Sequence, residues 1–216
     1  TETDIFGNNI TDNIFTNLAF LFNGRRLRSV YAINLGATNV KRDSGEDATG
    51  FAGFIDWSVN VSSRSTFATL ISTDLTDTSR VSQSLTENPA NGNPADVQIT
   101  TDVIRNSIFN LAYLRDDALL RSRIWGEFRK LTYSDSTNLN SVVRTYGIDA
   151  SYPMTQLLAS GAYINYNRSK RVETNRLDQY YIAGVNLKDN FARNLYSSFD
   201  IKYRIKQSTE ASADYN

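Results

Sequence analysis

The side chains of this chain that could do chemistry are its carboxylates and its cationic groups, because its 216 residues include no His and no Cys. Without these two residue types the chain lacks the commonest general base, the commonest transition-metal ligand and every thiol nucleophile. It also contains no glycine-rich phosphate-binding motif. We therefore expect no catalytic residue, no cofactor and no metal site, and we predict that the protein is not an enzyme.

Two acidic clusters are the segments that most resemble a metal-binding or catalytic site. The segment DSGEDATG at 43–50 resembles a calcium loop, but it has no glycine at the sixth position and no Glu at the twelfth. Asp116 and Asp117 are adjacent carboxylates next to a short polar connection. We interpret the first cluster as a solvated loop and the second as turn chemistry.

Charged and amide side chains recur at every second position of several segments. Arg121, Arg123, Glu127 and Arg129 share one face of the segment 118–133 in an extended conformation, and Asp200, Lys202 and Arg204 share one face of 193–205. Arg26 and Arg28 hold the corresponding positions in 25–40, and Asp56 and Asn60 in 51–62. We predict that one polar surface is formed by Arg28, Asp56, Asn60, Arg121, Arg123, Glu127, Arg129, Asp200, Lys202 and Arg204.

The elements that would position these residues are β-strands, because the hydrophobic pattern has a period of two. In 51–62, Phe51, Ile55 and Trp57 lie on one face and Asp56 and Asn60 on the other. The inward faces of the segments near 103–114, 139–152 and 157–168 are ambiguous. The predicted strands are 13–22, 25–40, 51–62, 66–75, 103–114, 118–133, 139–152, 157–168, 177–187 and 193–205.

The connections between these segments alternate between short and long. Asn23-Gly24 predicts a tight type I′ hairpin turn, whereas the connection from about 76 to 102 is long. Membrane β-barrels alternate in this way, because their periplasmic ends are tight hairpins and their outer ends carry longer loops.

The composition excludes helical membrane spans and favours strands that cross the membrane. No apolar run approaches the roughly 20 residues that a spanning helix needs. A barrel strand needs an apolar residue only at alternate positions, which is compatible with 40% hydrophobic residues and a mean hydropathy of −0.41. Polar positions would then line the lumen, since Arg at the lipid midplane costs roughly 2–4 kcal/mol.

The 23 basic and 23 acidic residues give no net charge that would favour nucleic acid.

Aromatic residues near the ends of the predicted strands are typical of a membrane interface. They are Phe15, Phe22, Phe51, Phe67, Tyr133, Tyr152, Tyr166, Tyr181 and Tyr203. The alternative is ordinary cross-strand packing in a soluble sheet.

The two ends of the sequence suggest further strands. A barrel with both termini in the periplasm begins with a long outer loop, but here the first predicted connection is the short Asn23-Gly24 turn. We predict a single domain, 1–216, that lacks one strand at each end of an antiparallel up-and-down transmembrane β-barrel of about 12 strands.

TDNIF at 11–15, TNLAFLFNGRRLRS at 16–29 and TGFAGFIDWSV at 49–59 resemble the β-barrel porins associated with exopolysaccharide and exosortase (PEP-CTERM) loci. The likeness continues through NPADVQITTD and SYPMTQLLASGAYINY and covers nearly the whole chain. It implies a channel of the Gram-negative outer membrane that serves polysaccharide export, and it supplies no catalytic residues.

We expect a passive outer-membrane channel whose partners are membrane lipid and either small solutes or polysaccharide, with other envelope proteins as further candidates. Its cationic side chains either contact anionic solutes or sugar acids, or form a salt-bridge network with Glu127, Asp56 and Asp200 that plugs a narrow barrel. One alternative function is a plugged structural or binding barrel whose outer loops recognise a partner or polymer. Another is a soluble β-sandwich of the adhesin type.

Overall fold

The computed structural model describes residues 13–42, 47–77, 102–192 and 195–209. Besides one short 3-10 helix, Thr137–Leu139, these residues form ten strands in the order β1 Asn13–Arg26, β2 Ser29–Arg42, β3 Ala48–Ser62, β4 Ser65–Asp77, β5 Val103–Asp116, β6 Arg121–Tyr133, β7 Ser141–Pro153, β8 Leu158–Arg171, β9 Leu177–Ala192 and β10 Leu195–Ser208. The ten strands predicted from the hydrophobic period are therefore confirmed. In this part of the chain no helix is long or apolar enough to cross a membrane.

All ten strands lie in one antiparallel sheet in which every strand pairs with its neighbours in sequence. This up-and-down order differs from a β-sandwich, which needs two sheets joined by Greek-key connections. β1 and β10 form the two edges of the sheet and are not paired with each other, so the described sheet is open.

The connections alternate in length as predicted. At one end of the sheet, which we call the turn end, strands are joined through residues 27–28, 63–64, 117–120 and 154–157. At the other end, the loop end, the connections are 43–47, 78–102, 134–140 and 172–176. The acidic segment 43–50, interpreted as a loop, begins in the connection 43–47, and its residues 43–46 lie outside the described part of the chain. Its last three residues, 48–50, belong to β3.

The first hairpin differs from the sequence prediction. Asn23 and Gly24 lie inside β1, and the turn is formed by Leu27 and Arg28. The turn at Asn23-Gly24 was therefore a wrong prediction. A turn at Asn23-Gly24 would place Arg25 opposite Phe22 on the apolar side of the sheet. In the observed register, Phe22 stands opposite Ile33. The gain in cross-strand apolar pairing outweighs the local turn preference of Asn-Gly.

Gly24 has a different role from the one predicted, because it makes room for an aromatic ring. It stands opposite Tyr31 on β2, and a Cβ atom at this position would collide with the Tyr31 ring. Gly184 has the same relationship to Tyr163 on the neighbouring strand. An aromatic ring laid over a glycine in this way pins the register of two strands.

On β7 and β8, the two faces of the sheet are exposed to very different degrees. On one side, the polar face, Thr145 of β7 and Asn167 of β8 are each 2% exposed. On the other side, the apolar face, Ile148 and Ile164 of the same strands are 56% and 68% exposed. Because neighbours on one strand point to opposite sides, this contrast means that the sheet curls around its polar face.

The same contrast assigns the three strands whose inward face was ambiguous. Asn110 of β5 stands opposite Glu127 of β6, Thr145 of β7 lies on the buried side, and Asn165 of β8 is 5% exposed. The inward face of β5 was ambiguous in the sequence because Ile104 and Ile108 share the polar face with Asn110.

The buried apolar residues are concentrated at the loop end. Ile104, Leu131, Tyr133 and Leu139 form one cluster, and Val40, Leu75 and Val103 form another. Tyr133 is 2% exposed on the polar face, so its prediction as an interfacial aromatic was wrong. By contrast, Phe51, Tyr152 and Tyr181 are exposed on the apolar face.

Candidate polar groove on the concave face

The candidate site is a groove of about 370 Å³ on the polar face of β6–β10. It exists because polar side chains alternate along five adjacent strands, so that the curl of the sheet brings them together. Its charged lining residues are Arg123, Asp149, Lys188, Asp200, Lys202 and Arg204.

One wall of this groove carries neutralised charges. Arg123 of β6 donates a hydrogen bond from Nε to Asp149 Oδ2 of β7 at 2.8 Å. The Arg123 guanidinium also lies 5.4 Å from the centre of the Trp125 ring, which is a cation–π distance. Both members of this ion pair are about one-third exposed. This contact holds β6 to β7 and leaves Arg123 little free charge for a solute.

Two further cations of β6 are also paired. Arg129 Nη2 lies 3.0 Å from Glu127 Oε1 in a pair buried within the sheet. Arg121 Nε lies 3.1 Å from Asp116 Oδ1 at the turn end, where both side chains are exposed. The three arginines of β6 are therefore each paired with a carboxylate, whereas the partners expected for a network that fills the barrel were Glu127, Asp56 and Asp200. Of the three pairs, Glu127–Arg129 agrees with that expectation.

The opposite wall of the groove, formed by β9 and β10, carries cations without such partners. Lys188, Lys202 and Arg204 make no ion pair with any carboxylate in the part of the chain that the structure describes. The carboxylate of Asp200 accepts a hydrogen bond from Tyr163 Oη at 3.2 Å. The groove thus presents unpaired positive charge along one side, which is suited to an anion.

The remaining predicted residues lie away from this groove. Asp56 and Asn60 are on the polar face of β3, and Asn60 Oδ1 accepts a hydrogen bond from Thr66 at 2.9 Å. Arg28 is in the exposed turn between β1 and β2, so its placement on a lumen-facing strand was wrong. The reason is the shifted first hairpin, which moves residues 25–28 out of the second strand.

Several lining residues were missed by the sequence prediction. Asp149, Tyr163, Asn165 and Asn186 all line the groove. The available signal was the alternation of small and polar residues in 145–151 and 161–169, but it could be read only once the inward face was known.

The adjacent carboxylates Asp116 and Asp117 behave as turn residues. Asp117 backbone N–H donates to Leu120 O at 3.0 Å, and its side chain accepts from Arg115 Nε at 2.7 Å. Across the described ranges, no group of three or more acidic, His or Cys side chains is arranged to hold a metal ion.

Comparison with known proteins adds no relative: neither the protein-family models nor the curated protein sequences give a match to this chain. The resemblance to exopolysaccharide-associated porins therefore stays a prediction.

Proposed function

We propose that this chain forms most of the wall of an outer-membrane β-barrel channel that passes anionic solutes along its polar face. One observation carries the proposal: large apolar side chains are exposed on the convex face, while polar side chains of β6–β8 are buried on the concave face. A water-soluble protein of this size would bury the first group and expose the second. Hydrocarbon is the surrounding in which the observed arrangement is favourable.

The selectivity part of the proposal rests on the unpaired cations. Lys188, Lys202 and Arg204 face a common groove, and a row of cations in a confined lumen lowers the energy of a passing anion. Sugar acids and carboxylated polysaccharides have this charge, which agrees with the export role implied by the resemblance.

A membrane location requires both edges of the sheet to be paired. In hydrocarbon, each unpaired backbone N–H or C=O costs several kcal/mol, so an exposed strand edge is not tolerated there. In the proposed barrel both edges are paired, and one further strand at each edge gives a closed barrel of about twelve strands.

The second candidate, a plugged structural or binding barrel, is favoured by one specific feature. The Glu127–Arg129 pair is almost completely buried and neutral, so it fills space rather than attracting solute. A plugged barrel would insert into membranes but would not conduct.

The test begins with membrane insertion. The protein is expected to need detergent for purification and to migrate differently on gels when it is heated. A protein that purified without detergent and showed no such shift would contradict both barrel proposals and favour a soluble module.

Single-channel recording in planar bilayers then separates the two barrels. We expect an anion-selective conductance that shifts toward cations in the Lys202→Glu/Arg204→Glu variant. The matched control, Arg26→Glu/Arg28→Glu, makes the same change of net charge at the turn end and should keep the selectivity. Conductance with unchanged selectivity in the first variant would contradict the anionic solute, and the absence of any conductance would favour the plugged barrel.

A further inference from the structure

A group of cations lies on the apolar face, where the proposed lipid contact would be. Lys130 of β6, Arg144 of β7, and Arg168 and Lys170 of β8 are exposed on this face near the loop end. We call these four residues the basic patch. Along β8 toward the loop end, the apolar-face residues are Ile164, Tyr166, Arg168 and then Lys170, so hydrocarbon-compatible side chains give way first to an aromatic and then to cations.

The basic patch places like charges side by side. Arg144 and Arg168 are direct cross-strand partners, and Val142 stands between Lys130 and Lys170 in the next row. Like charges directly opposite each other on a sheet are destabilising. None of the four cations forms an ion pair with a carboxylate in the described residues, so the arrangement lacks an internal counter-ion there.

The basic patch borders a groove of about 370 Å³ lined by Val142, Arg144, Arg168, Lys170 and Val172. Valine side chains and cations therefore meet in one depression. Next to it, Tyr146 and Tyr166 stack with their ring centres 6.5 Å apart, and Tyr181 follows at 5.1 Å from Tyr166. Tyrosines at this position are typical of the boundary between hydrocarbon and headgroups.

The patch is confined to one end of these strands. At the turn end, the apolar face of β6–β8 carries Ser122, Ala150, Tyr152 and Ser160, and none of these is charged. Two cations also lie on the apolar face at the turn end, but Arg115 of β5 is paired with Asp117 and Arg26 of β1 stands opposite Ser29. The four cations of the basic patch instead lie side by side without counter-ions among the described residues, and this clustering points to a leaflet with anionic groups on the loop side.

We propose that the basic patch binds the phosphate groups of a phosphorylated glycolipid in the membrane leaflet at the loop end, with its acyl chains against the apolar face below. Guanidinium groups suit this ligand because they bind phosphate oxygens in pairs, and the bound phosphate would remove the repulsion between Arg144 and Arg168. This inference rests on the proposed membrane location but is independent of whether the lumen conducts.

The experiment titrates the detergent-solubilised protein with bisphosphorylated lipid A, and separately with dephosphorylated lipid A carrying the same acyl chains, and counts bound lipid by native mass spectrometry. We expect the phosphorylated lipid to bind more tightly. In the variants Arg144→Gln/Arg168→Gln and Arg168→Gln/Lys170→Gln its affinity should fall by about tenfold, since charge-assisted hydrogen bonds are lost. The control Arg26→Gln/Arg28→Gln, which removes two exposed cations at the turn end, should bind like the parent protein.

Equal binding of the two lipids, or equal affinity in parent and patch variants, would overturn the proposal. Competition by inorganic phosphate at the same concentration as the lipid would also overturn it, because the patch would then be a site for the free anion. A protein that forms channels but fails these tests loses only the lipid site. A protein that does not enter membranes at all loses the proposed function as well.

Discussion

The carboxylate of Glu127 and the guanidinium of Arg129 form an ion pair inside the sheet, with Arg129 Nη2 and Glu127 Oε1 3.0 Å apart. The two residues are two positions apart on β6 and share its polar face, and their side chains are 4% and 6% exposed. The other guanidinium nitrogen, Nη1, is buried without a hydrogen-bond partner among the described residues. Arg129 therefore depends on a single carboxylate for its charge compensation.

Replacing only the acid should be strongly destabilising. Glu127→Gln leaves Arg129 buried without a counter-charge, and we expect the free energy of unfolding to fall by about 3–5 kcal/mol. Urea unfolding in lipid vesicles, followed by tryptophan fluorescence, measures this change. The double variant Glu127→Leu/Arg129→Met removes both charges and should lose less stability than the single variant. An equal or larger loss in the double variant would contradict the importance of charge compensation.

Two glycines of the same sheet provide a matched test of aromatic packing. A Cβ atom at Gly147 would stand 2.5 Å from Nε1 of Trp125, whereas a Cβ atom at Gly126 would stand 3.3 Å from Cδ1 of Tyr146. We expect Gly147→Ala to lower the free energy of unfolding by about 1–3 kcal/mol, because the indole is held within the sheet and must shift. Gly126→Ala should cost less. The same unfolding assay compares the two variants. A larger loss of unfolding free energy in Gly126→Ala than in Gly147→Ala would contradict the prediction.

Spin labels placed singly along β3 should report the two faces directly. In the membrane, labels at 51, 55, 57 and 59 are expected to be accessible to oxygen dissolved in lipid, and labels at 52, 54, 56 and 58 should not be. The measurement is power-saturation electron paramagnetic resonance with oxygen and a water-soluble nickel complex. Labels at 163 and 164 in β8 supply a control on a second strand, where the parity is opposite because Ile164 is on the apolar face. A profile without a period of two would remove the basis for the membrane assignment.

The carboxylate of Asp117 ties two turns together at the turn end. Its side chain accepts hydrogen bonds from Arg115 at 2.7 Å and from Arg64 of the preceding turn at 3.3 Å. The hydrogen bond from Arg115 lowers the pKa of Asp117, with Arg64 adding to the effect. A lowered pKa means that the contribution to stability is present above the ordinary Asp pKa of about 3.9 and is lost as the pH falls through the lower value of the folded protein.

Asp117→Asn should therefore reduce the thermal midpoint slightly at neutral pH. The difference from the parent protein should shrink as the pH is lowered below about 4 and disappear in stronger acid. Scanning calorimetry of both proteins across this range measures it. The control Asp189→Asn replaces a carboxylate on the apolar face of β9 that forms no ion pair with another described residue, so its effect on the thermal midpoint should be small. A difference in thermal midpoint between the two proteins that grew as the pH fell would contradict the prediction.

Much of the fold could be predicted from the sequence because its signals are local. Strand identity depends on alternation within a segment, and Phe51, Ile55 and Trp57 of β3 display that alternation without reference to any other strand. The order of short and long connections is also visible along the chain. The same reasoning assigned Arg123, Glu127, Lys202 and Arg204 to one polar surface, and the structure places all of them on the concave face.

What only the tertiary structure decided is how the strands slide past one another and which partner each charge meets. The first hairpin turns at Leu27–Arg28 because pairing summed over the whole strand outweighs two turn residues. Arg123 meets Asp149, and Lys202 meets no carboxylate among the described residues, because the register between strands sets these distances. Register is a property of pairs of strands, and it cannot be read from one segment by itself.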